Sequence, residues 1–259
     1  MTGRIATLFY GIVCYLVFFA TFLYAIAFLG DFGVPKSIDS GPQSTLGGAL
    51  AINVALLSIF ALQHSIMARP WFKKLWARIV PVAAERSTYV LFSSLALILL
   101  FWKWQPMGGL IWQVDNDFGQ LAIYWLYALG WILLLVSTFL INHFDLFGLR
   151  QVYLHFSGHV YTGLPFRTPG LYCYVRHPIY FSWLCIFWAT PRMTVAHLVF
   201  AFATTAYILI AVQFEEHDLI QAYGDVYRRY REQVPGLLPL RLSRESANAS
   251  VLESDRKSL

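Results

Sequence analysis

Charge is what this chain has least of. Asp, Glu, Lys and Arg make up 13% of its 259 residues and 58% are hydrophobic, against roughly 25% charged in an ordinary soluble domain. So few charged side chains cannot clothe a water-soluble globule of this size, which excludes a soluble enzyme and leaves a membrane protein. Cysteine is scarce as well. Cys14, Cys173 and Cys185 are odd in number and scattered, so neither a disulfide framework nor a metal-binding spacing is present. Internal repeats, a phosphate-binding loop and a dinucleotide fingerprint are also missing. Polar residues within the apolar runs are rare, Asn53 being the clearest, which argues against a water-filled transport path.

Long apolar runs are what the chain has in quantity. A bilayer-spanning helix needs about 20 predominantly apolar residues, and such runs extend from Ile5 to Leu29, Leu46 to Ile66, Ser87 to Trp104 and Leu121 to Ile141. A fifth region, Ile179 to Phe214, is too long for one ordinary span and is broken by Thr190-Pro191-Arg192. It divides into a short helix before Pro191 and a longer one after it. The first run, although preceded by Arg4, outlasts the roughly 7–15 residues of a signal-peptide core and counts as a span. The expected fold is therefore all-α, a polytopic helical bundle with five to six transmembrane segments. A single membrane domain is expected over residues 1–242, with 243–259, rich in Ser, Arg and Glu, as a disordered tail.

The cations set the expected orientation. All 19 lysines and arginines except Lys36, Lys103 and Arg192 fall on the side that holds both termini; by the positive-inside tendency that side is cytoplasmic. The net charge of +5 is thereby accounted for by topology, and no nucleic-acid partner is inferred from it. Chemistry-bearing residues gather on the same side. Gln63 and His64 end the second span, Glu85 and Arg86 begin the third, Asn142 and His143 end the fourth, Arg176 and His177 begin the fifth, and Glu215 and Glu216 end the last. Phe144 to Val175 is the longest connection there, and its glycines and prolines predict turns rather than one helix. A site open to the cytosol suits a soluble intracellular cosubstrate. The sequence carries no signal for oligomeric state.

Five elements in order, Gly170-x-Tyr172, Arg176-His177-Pro178-x-Tyr180, Glu215-Glu216-x-x-Leu219, Tyr223-Gly224-x-x-Tyr227-x-x-Tyr230 and Val234-Pro235, resemble the isoprenylcysteine carboxyl methyltransferase superfamily of integral-membrane enzymes. One departure is Ser182, where that pattern has a glycine. Further upstream, Gln63-His64-Ser65-x-Met67-Ala68-Arg69, Glu85-Arg86-Ser87-x-Tyr89 and Asn142-His143-Phe144-Asp145-Leu146-Phe147-Gly148-Leu149-Arg150-Gln151 resemble the bacterial methanethiol S-methyltransferase branch. The resemblance implies methylation of a small thiol, methanethiol to dimethyl sulfide, with S-adenosylmethionine as donor and residues 170–240 as the donor-binding region.

On that reading Arg176 would pair with the donor's carboxylate, and Glu215 or Glu216 would meet its ribose hydroxyls or ammonium. Tyr172, His177, Pro178 and Tyr180 would shape the pocket, with Tyr227 and Arg228 closing it from below. The thiolate is the reactive form of a thiol, so a base or a cationic neighbour is expected beside the acceptor. His64, His143 and Glu85 are candidate proton acceptors, Arg86 and Arg150 candidate thiolate stabilisers, and Asn142, Asp145 and Gln151 candidate substrate-orienting residues; no metal is expected. Each residue also has an ordinary explanation: cations flank spans in any membrane protein, proline favours a helix's first turn, and tyrosines anchor interfacial helices. A larger lipid-like or prenylated acceptor and a non-enzymatic transporter or binding subunit are the competing functions.

Overall fold

The computed structural model describes residues 2–42 and 44–239; the tail expected to be disordered, 243–259, lies outside the described residues. Among the described residues five helices are long and apolar enough to cross a bilayer: α1 (Thr2–Gly30), α2 (Leu46–Ala68), α4 (Val82–Lys103), α5 (Asp117–Ile141) and α9 (Val195–Tyr223). Short helices α3 (Pro70–Trp76), α6 (His143–Leu146), α7 (Leu149–Phe156), α8 (Pro178–Trp188) and α10 (Asp225–Gln233) complete the bundle. The long helices bear large apolar side chains on their outer faces, among them Phe9, Ile59, Ile98, Trp125, Ile132, Phe202 and Ile210. Such a belt is costly in water and ordinary in hydrocarbon, so the chain is an integral membrane protein.

One interior core, containing Phe28, Leu100, Trp104, Trp131, Ile186 and Phe200, joins α1, α4, α5, α8 and α9. The expected split of the fifth region is observed, and its geometry follows from length. Eleven residues of α8 rise only about 16 Å, and the extended Ala189–Thr194 segment supplies the remaining height before α9 returns. Part of that segment is β2 (Arg192–Thr194), which pairs antiparallel with β1 (Leu110–Gln113) in the connection between α4 and α5, Leu110 opposite Thr194 and Gln113 opposite Arg192. On the same face Asp39 accepts from Thr194, whose hydroxyl also caps the α9 N-terminus by accepting from His197 N at 3.1 Å. That face is closed by loop-to-loop bonds, and the helix ends carrying the chemistry lie at the other.

Two helices extend furthest beyond their apolar runs. α4 begins at Val82, ahead of Ser87, so Glu85 lies in its first turn with Arg86 next to it, and α9 runs nine residues past Phe214 to Tyr223. Hydropathy marks where the hydrocarbon ends, and a helix continues past that point while its polar residues find partners. Asp218, one turn beyond the apolar stretch, meets Arg69 at 3.0 Å. Glu215 and Glu216 are consequently inside a helix, and their acidity cannot be ascribed to a helix terminus. Ser182 is fully buried with its hydroxyl on Pro178 O at 2.8 Å. The close approach comes from Gly130 on α5, where a Cβ would stand 3.3 Å from Ser182 O and 2.9 Å from Ile186 Cγ1.

Candidate active site

The C-terminal motifs converge on one buried carboxylate. Glu216, 5% exposed, receives Arg176 Nη2 at 2.7 Å, His177 Nε2 lies 3.1 Å from its Oε1, and Arg231 Nε reaches its Oε2 at 3.1 Å. Arg176 spends its remaining donors on the backbone, giving Nη1 to Arg231 O at 2.8 Å and to Val234 O. The backbone N–H groups of Arg176 and His177 bond Pro235 O at 2.9 Å and Gly236 O at 3.1 Å. This explains the Val234-Pro235 element: the segment is recognised through its carbonyls, and a proline, which lacks only the N–H, can occupy it. Pro178 opens α8 at its first position and so places Arg176 and His177 just outside the helix, where both can meet α9.

Around this ion cluster stand polar groups that remain available. The Glu215 carboxylate, 43% exposed, has only His177 Nδ1 at 3.9 Å in the way of an ionic contact, and the Tyr180 phenol lies beside it. The Tyr227 ring is buried against Phe166 and Tyr230, yet its hydroxyl has no hydrogen-bond partner. Burial, reinforced by the negative charge of Glu216, pushes this phenol up to about 12, so it is a neutral donor. A buried hydroxyl without a partner is costly and marks a place where a ligand atom fits. Tyr230 donates to Tyr172 O at 2.6 Å and Tyr172 to Ser137 O at 3.4 Å, which ties α10 through Tyr172 to α5; burial raises both phenols.

Arg228, expected in this pocket, pairs with Asp225 at 2.8 Å on the exposed face of α10. The helical period explains it: residues three and four apart share a face, so Tyr230 and Arg231 follow Tyr227 inward while Arg228 turns to solvent. Arg231 was overlooked although that phase was readable from the sequence. Arg231→Ala is expected to weaken binding of an anionic-tailed donor severalfold or more, and Arg228→Ala to leave it unchanged, as read by equilibrium binding of S-adenosylmethionine.

The N-terminal motifs form a second cluster. His64 on α2 faces α4, with the Tyr89 hydroxyl 2.9 Å from Nε2 and 3.0 Å from Nδ1, and Ser93 Oγ 3.2 Å from Nδ1. Arg86 lies over the Tyr89 ring at 5.1 Å and donates Nε to Leu146 O at 2.7 Å. Tyr207 on α9 bonds Ser65 at 3.1 Å. The hydroxyls of Tyr89, Tyr207 and Tyr180 lie within electrostatic reach of one another, and Tyr180 adjoins Glu215. Through these phenols the two clusters share one aromatic interior. Tyr89, Ser93 and Tyr207 were not singled out as site residues from sequence, because their partners come from other helices. Glu85 makes no ion pair among the described residues.

His143 is placed differently. Its Nδ1 is 2.9 Å from Thr138 Oγ1, its Nε2 is 2.9 Å from Tyr15 Oη, and Phe139 stacks on the ring at 4.3 Å. Phe147 packs against it and belongs to the cluster that contains Tyr89, so one aromatic layer separates the two histidines. Asn142, at φ 94°, caps α6 by accepting from Asp145 N at 3.0 Å. Asp145 pairs with Arg150 at 2.8 Å, and its carbonyl accepts from Gln151 Nε2 at 3.0 Å. Asn142, Asp145, Arg150 and Gln151 thus build the loop that backs the second cluster.

Desolvation lowers the His143 imidazole below its ordinary value. The unfolded chain therefore binds a proton more readily than the folded one, and stability rises with pH across the window that ends near an unfolded value of about 6.5. The thermal midpoint of the purified protein is expected to fall on acidification from pH 7 to 5, and His143→Gln to flatten that slope without abolishing turnover.

Neither a family model nor a solved structure matches the chain. Curated relatives do. Methanethiol S-methyltransferase of Crocosphaera subtropica is 59% identical over 237 residues, 92% of this chain and 93% of the relative. Methanethiol S-methyltransferase 2 of Bradyrhizobium diazoefficiens is 50% identical over 260 residues, 100% and 97% of the two chains. Nurim of Xenopus laevis is more distant, 29% identical over 77% of this chain and 70% of its own. At this identity and coverage the chain belongs to the methanethiol S-methyltransferase family.

Proposed function

We propose that this chain methylates methanethiol to dimethyl sulfide with S-adenosylmethionine as donor, at a site facing the cytoplasm beneath a bacterial plasma membrane. The observation that carries this reading is the match, over more than nine tenths of both chains, to relatives named for that reaction. The residues present fit the donor. Two guanidiniums on the single carboxylate of Glu216 leave positive charge for the donor's carboxylate, and Arg231, 49% exposed, is the open side of that pair. Glu215 is the acceptor for the ammonium or the ribose hydroxyls, and the Tyr227 hydroxyl supplies a further hydrogen bond. His177 and Pro178 fix the corner from which these groups project.

Bound there, S-adenosylmethionine supplies a methyl group on an electrophilic sulfonium. Tyr180 faces that charge, and an aromatic ring so placed contributes roughly 0.5–2 kcal/mol of cation–π attraction. Donor and thiol held between the two clusters would be aligned for displacement, and alignment of this kind accounts for up to about 7–11 kcal/mol in favourable intramolecular reactions. Of the candidate bases, His64 meets the Tyr89 phenol, which is within electrostatic reach of Tyr180, whereas His143 is held by Thr138 and Tyr15. Arg86 adds positive charge beside the place where thiolate character develops; Arg150, Asn142, Asp145 and Gln151 hold the loop that positions Arg86.

Purified protein in lipid nanodiscs, given methyl-labelled S-adenosylmethionine and a series of thiols, is expected to release labelled dimethyl sulfide from methanethiol into the headspace. Methylation of a long or prenylated thiol with none of methanethiol overturns the proposal.

A further inference from the structure

Among the described residues Tyr89 is the one phenol hydrogen-bonded to the candidate base, and it approaches from a different helix. Its hydroxyl lies 2.9 Å from Nε2 and 3.0 Å from Nδ1 of His64, and Ser93 Oγ is 3.2 Å from Nδ1. With Ser93 accepting a proton from Nδ1, Nε2 is the nitrogen left to accept from the phenol. The imidazole is fixed from behind by Phe60, stacked at 5.2 Å. The Tyr89 ring is fixed by burial and by the Arg86 guanidinium over it. The charged and titratable groups around this pair are Arg86 from α4, Arg69 just after α2, Tyr207 from α9 and Tyr180 from α8. Tyr180, beside Glu215, is within electrostatic reach of Tyr89. A thiol placed between Tyr180 and Tyr89 would lie next to the phenol oxygen.

Building on the methyltransferase reading, we infer that Tyr89 is a catalytic residue that relays the thiol proton to His64. In this step the S–H bond breaks and its proton goes to the Tyr89 oxygen while the Tyr89 O–H proton passes to His64 Nε2. The sulfur lone pair forms the new bond to the methyl carbon, and the bond between that carbon and the donor sulfur breaks, leaving its electron pair on the donor as a neutral thioether. His64 carries the surplus proton and releases it to water. A phenol suits this place better than a carboxylate because it stays neutral in an apolar interior and both gives and accepts a hydrogen bond.

The test compares Tyr89→Phe with wild type on two small thiols, methanethiol and the more acidic trifluoroethanethiol, alongside S-adenosylmethionine binding. Proton relay contributes about 10²–10⁴-fold, so Tyr89→Phe is expected to lose at least about 10²-fold in kcat on methanethiol with donor affinity unchanged. On the acidic thiol, which arrives largely ionised, the deficit is expected to shrink to less than about tenfold. A merely structural role would lower both alike. Equal deficits on the two thiols, or wild-type turnover on methanethiol, overturn the relay. Should Tyr89→Phe lose donor binding altogether, His64→Gln carries the same two expectations, and an equal deficit there overturns the relay as well. An inactive wild-type protein would instead count against the methyltransferase reading itself.

Discussion

Glu216→Gln is expected to destabilise the protein and abolish donor binding together. The carboxylate sits 5% exposed between two guanidiniums and an imidazole, and glutamine is nearly isosteric, so packing is preserved while the charge is removed. Removing one partner of a buried ion pair leaves the other uncompensated, at a cost of roughly 3–5 kcal/mol. Here the stranded group is Arg176, which also clamps the Val234–Gly236 segment through its carbonyls. Loss of the clamp frees α10 and with it Tyr227 and Tyr230. Glu215→Gln serves as the contrast. That side chain is 43% exposed and takes part in no close ion pair, so the fold is expected to survive while S-adenosylmethionine affinity falls. Thermal unfolding and ligand binding on the two variants separate the carboxylate that builds the site from the one that faces the ligand. The assignment fails if both lose stability equally.

Gly148→Ala is expected to undo the other half of the site. Gly148 has φ +88°, a conformation that carries a penalty of about 1–3 kcal/mol for a residue with a Cβ. There is also no room: an added Cβ would stand 2.6 Å from Ser87 Oγ and 2.7 Å from Ser87 N. Ser87 is fully buried on α4 and donates to Gly148 O at 3.3 Å, so neither side can yield without breaking the seam. Arg86, next in sequence, holds Leu146 O by its Nε. Displacing the loop therefore moves the guanidinium off the Tyr89 ring and loosens the Asp145, Arg150 and Gln151 network. Turnover is expected to fall by at least about tenfold with donor affinity little changed, because the Glu216 cluster lies on other helices. Wild-type turnover in Gly148→Ala would show that the loop does not position the second cluster.

Much of this architecture is written in the sequence because the bilayer reads composition directly: each apolar run of sufficient length became a helix, and Thr190-Pro191-Arg192 divides the fifth region where expected. The end of α9 was not legible, since hydropathy reports the edge of the hydrocarbon and not the last helical hydrogen bond. Within the C-terminal motifs, Arg176, His177 and Glu216 are assigned to one site by the resemblance of the ordered motifs to the methyltransferase superfamily, and the structure brings them into contact. Arg231 was within reach of the helical phase set by Tyr227. Separating His64 from His143 was not, because what distinguishes them is tertiary. Tyr15, from a helix 128 residues away, occupies one nitrogen of His143, whereas His64 meets a phenol that itself adjoins the C-terminal cluster.

A structure of the protein with bound S-adenosylhomocysteine tests the central claim most directly. Density for the nucleoside between Glu215 and Tyr227, its sulfur directed past Tyr180 toward Tyr89 and His64, is the predicted result. Density elsewhere, such as the recess lined by Asp39, Arg192 and His197 at the opposite end of the bundle, or a sulfur turned away from α2 and α4, would contradict it.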